Sequence, residues 1–421
     1  MPPDEVVITG LGVVSPIGIG KRRVWESFCA GRSGVRPIRR FDPAGLPVRI
    51  AAEVDDFDPE AYVRPRKNLK VMVRDAQFGV AASVLACQDA NLANGTVDPE
   101  RFGVVLGADR ICGEMEDAEV SYRACMVDGR FDFSRWATHA MATAFPLGFL
   151  RVLPNMIASH VSIAHDARGP NNTIHHAELS GLLAVVEAAR VIQRGMADVM
   201  IAGGASSQMK FFDWVRHCVI GALSVSQGDP TTVLRPFDAL RDGQVLGEGA
   251  AAFIMESRRH AEARGATIRA RVLGWACTCE PHNGGLPQGS GLRRAMSLAV
   301  DEAGLKPGQL GHVNAHGVSG VVDDQIEGRA IQACLPDVPV TAPKSYFGNL
   351  GAAGGAVEMA ASVLSFGDGL VPPTLNYRRP DPACPVRVVR GQPLETSVDT
   401  ALVVNWTRIG QSVAVVLGGD R

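Results

Sequence analysis

The segment Gly169-Pro170-Asn171-Asn172-Thr173-Ile174-His175-His176-Ala177-Glu178-Leu179-Ser180-Gly181 leads into the mostly apolar stretch Leu182 to Asp198. It reads as a strand, a sharp turn and a helix. Such a turn displays one side chain at a helix N-terminus, where unpaired N–H groups and the helix dipole favour negative charge. The place suits a nucleophile, and the residue displayed there is Glu178. The plain alternative is a solvated helix-start acid, worth a few tenths of a kcal/mol. Three further Gly-rich segments hold polar groups that a plain strand or helix does not need. One is Asn314-Ala315-His316-Gly317-Val318-Ser319, with a histidine at a strand end. Another is Pro343-Lys344-Ser345-Tyr346-Phe347-Gly348-Asn349-Leu350-Gly351-Ala352-Ala353-Gly354. The last is Arg235-Pro236-Phe237-Asp238, continued by Arg241-Asp242-Gly243 and Gly247-Glu248-Gly249.

Short apolar runs alternating with helical stretches place these segments in an α/β protein. Val6–Gly10 and Phe102–Gly107 read as strands, with Lys21–Ala30 and Asp75–Asn91 as helices. Gly181–Gly195 is apolar on most faces, the mark of a buried helix, and the strand Asp198–Gly203 follows. The second half echoes the first. Ile268–Trp275 and His312–Ala315 read as strands, Gly291–Ala303 and Val322–Cys334 as helices. Gly351–Phe366 is a second Gly/Ala-rich buried helix, and strands at Leu402–Asn405 and Ser412–Leu417 close the chain. Two α/β halves, 1–255 and 256–421, meet near the polar helix end at Arg258–Thr267 with no low-complexity linker. They are expected to share one core.

Composition narrows the classes. The chain has 421 residues, 46% hydrophobic and 20% charged, ordinary for a globular protein with a sizeable core. A net charge of -2 and 6% aromatics imply neither a nucleic-acid surface nor an anionic-membrane surface. No apolar run reaches membrane-span length. Nine cysteines are scattered, and Cys277 and Cys279 lack the companions of a zinc site. With a short polar N-terminus, reduced thiols in the cytoplasm are the expectation.

In this order and spacing, the motifs resemble those of the β-ketoacyl-ACP synthases of the thiolase superfamily, over essentially the whole chain. Val7-Ile8-Thr9-Gly10-Leu11-Gly12-Val13-Val14-Ser15-Pro16-Ile17-Gly18 is similar to that family's first strand and loop. Ala197-Asp198-Val199-Met200-Ile201-Ala202-Gly203-Gly204-Ala205 is similar to the strand after its elbow helix. The segment from Arg235 to Gly249 and Pro372-Pro373-Thr374-Leu375-Asn376 are similar to its mid-chain signature and late loop. The resemblance implies a thiolase-like α/β fold, two pseudo-symmetric halves in an αβαβα layered sandwich, dimerising through the sheet edge of the first half. It implies no metal or organic cofactor; a phosphopantetheine arm arrives on an acyl carrier protein. An Arg/Lys-lined groove near the pocket mouth would suit that acidic partner.

The resemblance also assigns roles. The family's chemistry uses an elbow cysteine to take the acyl group, two histidines or a His and an Asn to decarboxylate malonyl-ACP, and an organising lysine. His316 matches the first histidine and Lys344 the lysine. Asn349 falls at the second histidine and Glu178 at the cysteine, with no cysteine near enough for a shifted alignment to supply one. The family's Gly-rich, Phe-bearing late loop is replaced by Asn405-Trp406-Thr407-Arg408-Ile409-Gly410-Gln411-Ser412, with Ile409 at the gating aromatic and Arg408 beside it. Thr407, Arg408, Ile409 and Ser319 are the expected substrate contacts. Glu358 and Asp324 are read as structural partners of Lys344 and nearby loops, and Arg241, Asp242 and Glu248 as structural or interfacial. His175 and His176 are read as a strand pair with one side chain packed. Met141, Leu147, Leu150, Leu153 and Met156 are read as core or dimer interface.

A carboxylate at the elbow gives a mixed anhydride with an acyl group, which hydrolyses easily, so ordinary condensation is not expected. The first reading is a non-elongating subunit like the chain-length factors of polyketide systems, pairing with a Cys-bearing ketosynthase or with itself and binding acyl or malonyl-ACP. Alternatives are malonyl-ACP decarboxylation, another acyl-thioester reaction using Glu178 as base with His316, and a purely structural scaffold.

Overall fold

The computed structural model describes residues 4–93, 95–111, 115–220, 222–281 and 284–420. Met1 and Cys112 lie outside these. The eight cysteines within them are free thiols.

Ten strands form the path of one large sheet. They are β1 (Val6–Ser15), β2 (Phe102–Ala108), β3 (Asn171–Ile174), β4 (Val199–Ser207), β5 (Glu248–Ser257), β6 (Ala270–Cys279), β7 (His312–Asn314), β8 (Val340–Thr341), β9 (Thr400–Trp406) and β10 (Gln411–Gly418). A short strand, Gly18–Ile19, pairs with β1 off this path. The first five run β3-β2-β4-β5-β1 across the sheet, and the second five run β8-β7-β9-β10-β6. The two orders are the same when each half is numbered from its own first strand. So are the directions. In each half the second strand of that order, β2 or β7, runs parallel to both neighbours, and the last two pairings are antiparallel. Antiparallel pairing of β1 with β6 joins the halves, Val6 opposite Val272.

Helices fill three layers. The buried pair α3 (Ser180–Gln193) and α6 (Gly354–Asp368) packs between the two half-sheets. Outside the first half lie α1 (Arg74–Asp89) and α2 (Met156–His165); outside the second lie α4 (Ser290–Glu302) and α5 (Asp323–Cys334). The strands are apolar on both faces because both are covered. On β5, Ala251, Phe253 and Met255 face α3 and α6, while Ala250, Ala252 and Ile254 face α1. On β10, Val413, Val415 and Leu417 face inward, and Ala414 and Val416 face α4. This period-2 division builds the α/β sandwich of five layers that the motifs imply.

Two expectations are narrowed. Met141 (63% exposed), Leu147 (46%) and Leu153 (37%) are not core residues, which leaves the interface alternative for them. They lie in and beside short helical turns from Phe133 to Arg151. His175 and His176 lie beyond the end of β3, so strand alternation does not orient them. A strand absent from the sequence reading, β5, occupies Glu248–Ser257. Among the described residues no helix is long and apolar enough to cross a membrane.

Candidate active site

The elbow is a short 3-10 turn, Ala177–Leu179, between β3 and α3. Ala177 carries a positive φ of 47°, a strained backbone that turns the chain sharply. Ser180 Oγ accepts from His176 N at 2.8 Å and donates to Ala177 O at 2.7 Å, pinning the turn. Three close-packed glycines seat it. A Cβ at Gly107 would lie 2.5 Å from the Ser180 carbonyl carbon, and one at Gly181 or Gly204 would lie 2.8 or 2.5 Å from Ala352 O. Glu178 thereby stands half-buried two residues ahead of α3.

A cavity of about 410 Å³ opens in front of it. Its wall comes from the carboxyl ends of strands in both halves: Asp109 after β2, Glu178 after β3, Gln208 after β4, His316 after β7 and Trp406–Ile409 at the end of β9. Open α/β sheets bind ligands at that end. Asn349 joins from the loop before α6.

His316 is 4% exposed. Its Nδ1 takes a hydrogen bond from Lys344 Nζ at 3.0 Å, which leaves the ring proton on Nε2. Burial, then the Lys344 charge, hold the imidazole pKa well below its ordinary value, so the ring is a neutral donor. Its backbone N–H and that of Gly317 bind the Glu327 carboxyl at 2.7 and 2.8 Å. Burial pushes Glu327 up to about 8. Behind the ring, Lys344 forms a buried ion pair with Glu358. Asn405 Nδ2 donates to the other Glu358 oxygen at 2.7 Å. Burial raises the Glu358 pKa, with Lys344 opposing.

Asn349 has its amide fixed on both sides. Oδ1 accepts from Gly351 N at 3.0 Å, and Nδ2 donates to Gln244 Oε1 at 2.8 Å. The same Nδ2 lies 3.5 Å from Glu178 Oε1, a long polar contact. Glu178, His316 and Asn349 therefore face one space.

The remaining expected residues divide. Thr407, Arg408 and Ile409 line the cavity. Thr407 N and Gly410 N bond across a tight turn to Gln411 O and Thr407 O, both at 2.9 Å, so the loop is a closed hairpin. Arg408 is held in a two-pronged pair with Asp323, at 2.6 and 2.7 Å. Ile409 is 57% exposed at the mouth. Lys344 sits behind His316, off the cavity wall. Ser319 is also off the wall; it is fully buried and its Oγ accepts from Arg235 N at 3.1 Å. Asp324 accepts from Phe237 N at 2.8 Å and neighbours Arg241 at 3.7 Å, a loop brace. His175 lines the cavity, its Nδ1 on Ala108 O at 2.9 Å.

Sequence reading passed over Asp109, Gln244 and Trp406. Asp109 follows an apolar strand directly, and a charge at such a strand's carboxyl end is the signal that would have found it. The rim carries exposed Arg110 and Arg216 beside Arg408. Among the described residues no group of acidic, His or Cys side chains is arranged to hold a metal.

This architecture recurs in known proteins. Residues 3–261 match the family model "Beta-ketoacyl synthase, N-terminal domain", and residues 269–378 match "Beta-ketoacyl synthase, C-terminal domain". The chain is 35% identical to the 3-oxoacyl-[acyl-carrier-protein] synthase 2 of Coxiella burnetii, covering 99% of both chains. It is 36% identical to a putative polyketide beta-ketoacyl synthase 1 of Streptomyces halstedii, covering 99% of this chain and 98% of the other. Among solved structures, the ishigamide ketosynthase/chain length factor superposes over all of both chains, with a TM-score of 0.87 at 30% identity. A beta-ketoacyl synthase from Burkholderia phymatum STM815 gives 0.89 at 30% identity, over 99% of this chain and all of the other. With the repeated half-sheets, the elbow before α3 and the His316 strand end, these matches place the chain in the β-ketoacyl synthase family.

Proposed function

We propose that this chain is a non-condensing subunit of fatty acid or polyketide biosynthesis. It pairs with a Cys-bearing ketosynthase and binds acyl groups carried on an acyl carrier protein. The observation that carries the reading is the elbow itself: the acyl-accepting position holds Glu178, and no described cysteine lines the cavity. A carboxylate does not store an acyl group as a thiolate does, since the anhydride would be lost to water.

The surface supports pairing. Tyr122, Phe131, Phe133, Phe145, Leu147 and Phe149 are each more than 40% exposed, all within one stretch of chain. Exposed large apolar side chains at this density mark interaction surfaces. Strand β3 is at the sheet edge with its outer ladder open. A solved relative is titled a type II PKS acyl-carrier protein in complex with its ketosynthase. Here Arg216, exposed at the mouth, beside Arg110 and Arg408 in their pairs with Asp213 and Asp323, suits an acidic carrier protein bringing its prosthetic arm to the cavity.

Co-expression with a Cys-bearing ketosynthase from the same genome tests this. The expected result is an equimolar complex, weakened at least about tenfold by Phe133→Glu with Phe149→Glu. A stable homodimer that ignores the ketosynthase would overturn the reading.

A further inference from the structure

The cavity wall holds two carboxyls. Asp109 Oδ2 accepts three hydrogen bonds, from Ser206 Oγ at 2.6 Å, Gln208 Nε2 at 2.6 Å and Ala352 N at 2.8 Å. All three converge on one oxygen. Asp109 and Glu178 interact: burial chiefly, and the Glu178 charge in lesser part, push the Asp109 carboxyl above its ordinary range.

Three of the cations nearby are committed elsewhere. Arg110 pairs with Asp213 at 3.1 Å, Arg408 with Asp323, and Lys344 with Glu358. Arg216 lies exposed at the rim. Burial chiefly lowers the pKa of His217, and His316 is neutral. What remains on the wall suits a neutral carbonyl oxygen. His316 offers Nε2–H.

We propose that Asp109 and Glu178 together make this cavity select neutral acyl and β-ketoacyl thioesters and reject anionic ones such as a malonyl thioester. The proposal rests on reading the cavity as an acyl-thioester site. A malonyl carboxylate would enter beside two carboxyls in a partly dry space, with Arg110, Arg408 and Lys344 already paired and Arg216 out at the exposed rim. A neutral carbonyl meets no such repulsion and gains the His316 donor. Asp109 is then a specificity determinant that the elbow glutamate alone does not supply.

Equilibrium dialysis of the full chain against acetoacetyl-pantetheine and malonyl-pantetheine reads the effect directly. The acetoacetyl ester is expected to bind at least about tenfold more tightly, the size of a modest like-charge repulsion. Asp109→Asn and Glu178→Gln should each narrow that ratio, and the double variant should bring it to about threefold or less. Glu178→Asp, which keeps the charge, should preserve it. Thermal melts establish that the variants fold; if Asp109→Asn does not, Glu178→Gln alone must narrow the ratio. Equal binding of the two esters to the native chain, unchanged selectivity in the variants, or no binding of either ester would overturn the proposal. A chain that pairs with a ketosynthase but shows no selectivity loses this proposal alone. A selective chain that does not pair loses the subunit reading alone.

Discussion

Lys344 and Glu358 are 1% and 0% exposed, and neither charge has water to fall back on. Removing one member of such a pair leaves the other buried and uncompensated, which costs several kcal/mol, whereas removing both often costs little. Lys344→Met should therefore lower the unfolding free energy by about 3 kcal/mol, and adding Glu358→Gln should recover most of it in urea denaturation. Equal losses in the single and double variants would show the pair to be energetically unimportant. Glu178, His316 and Asn349 were singled out from sequence by their match to family motif positions beside turn glycines, and all three line one cavity. Asp109 was not. Its partner Ala352 lies 243 residues away, and only the approach of the β2 end to the loop before α6 brings them together. Gln244 was hidden for a similar reason: its role is to hold the Asn349 amide, a contact no local pattern encodes.

The elbow works because helix α3 begins against bare backbone. A methyl at Gly181 would sit 2.8 Å from Ala352 O and 3.2 Å from Ala356 Cβ, so α3 and α6 would have to separate. Gly181→Ala should cost about 1–3 kcal/mol by overpacking, read as a lowered urea midpoint, and should shift Glu178 relative to Asn349. An unchanged midpoint would mean that the helices have slack. The long apolar helices α3 and α6 and the β-branched strands were readable from periodicity and composition. Strand β5 was not, since Glu248-Gly249-Ala250-Ala251-Ala252 has no β-branched residue. Its extended state comes from pairing with β1 on one side and β4 on the other. In the Met141–Leu153 stretch apolarity alone did not separate core from interface, and the exposure of Met141, Leu147 and Leu153 removes the core alternative for them.

At the scale of the molecule, the repeated strand order places three strand ends from the first half and two from the second around one cavity, so neither half holds the site alone. Glu178 and Asp109 come from the first half, His316 and Thr407 from the second. That echo of the halves was visible in the alternation of elements. The identical order and direction of the half-sheets needed three dimensions. On the proposed reading, the carboxylate at the elbow leaves covalent storage of the acyl group to a partner chain. Intact-mass spectrometry of the two-chain complex, after exposure to an acyl-loaded carrier protein, tests this most directly. The predicted result is an acyl mass increment on the Cys-bearing ketosynthase and none on this chain. A stoichiometric acyl increment on this chain, alone or in the complex, would contradict it.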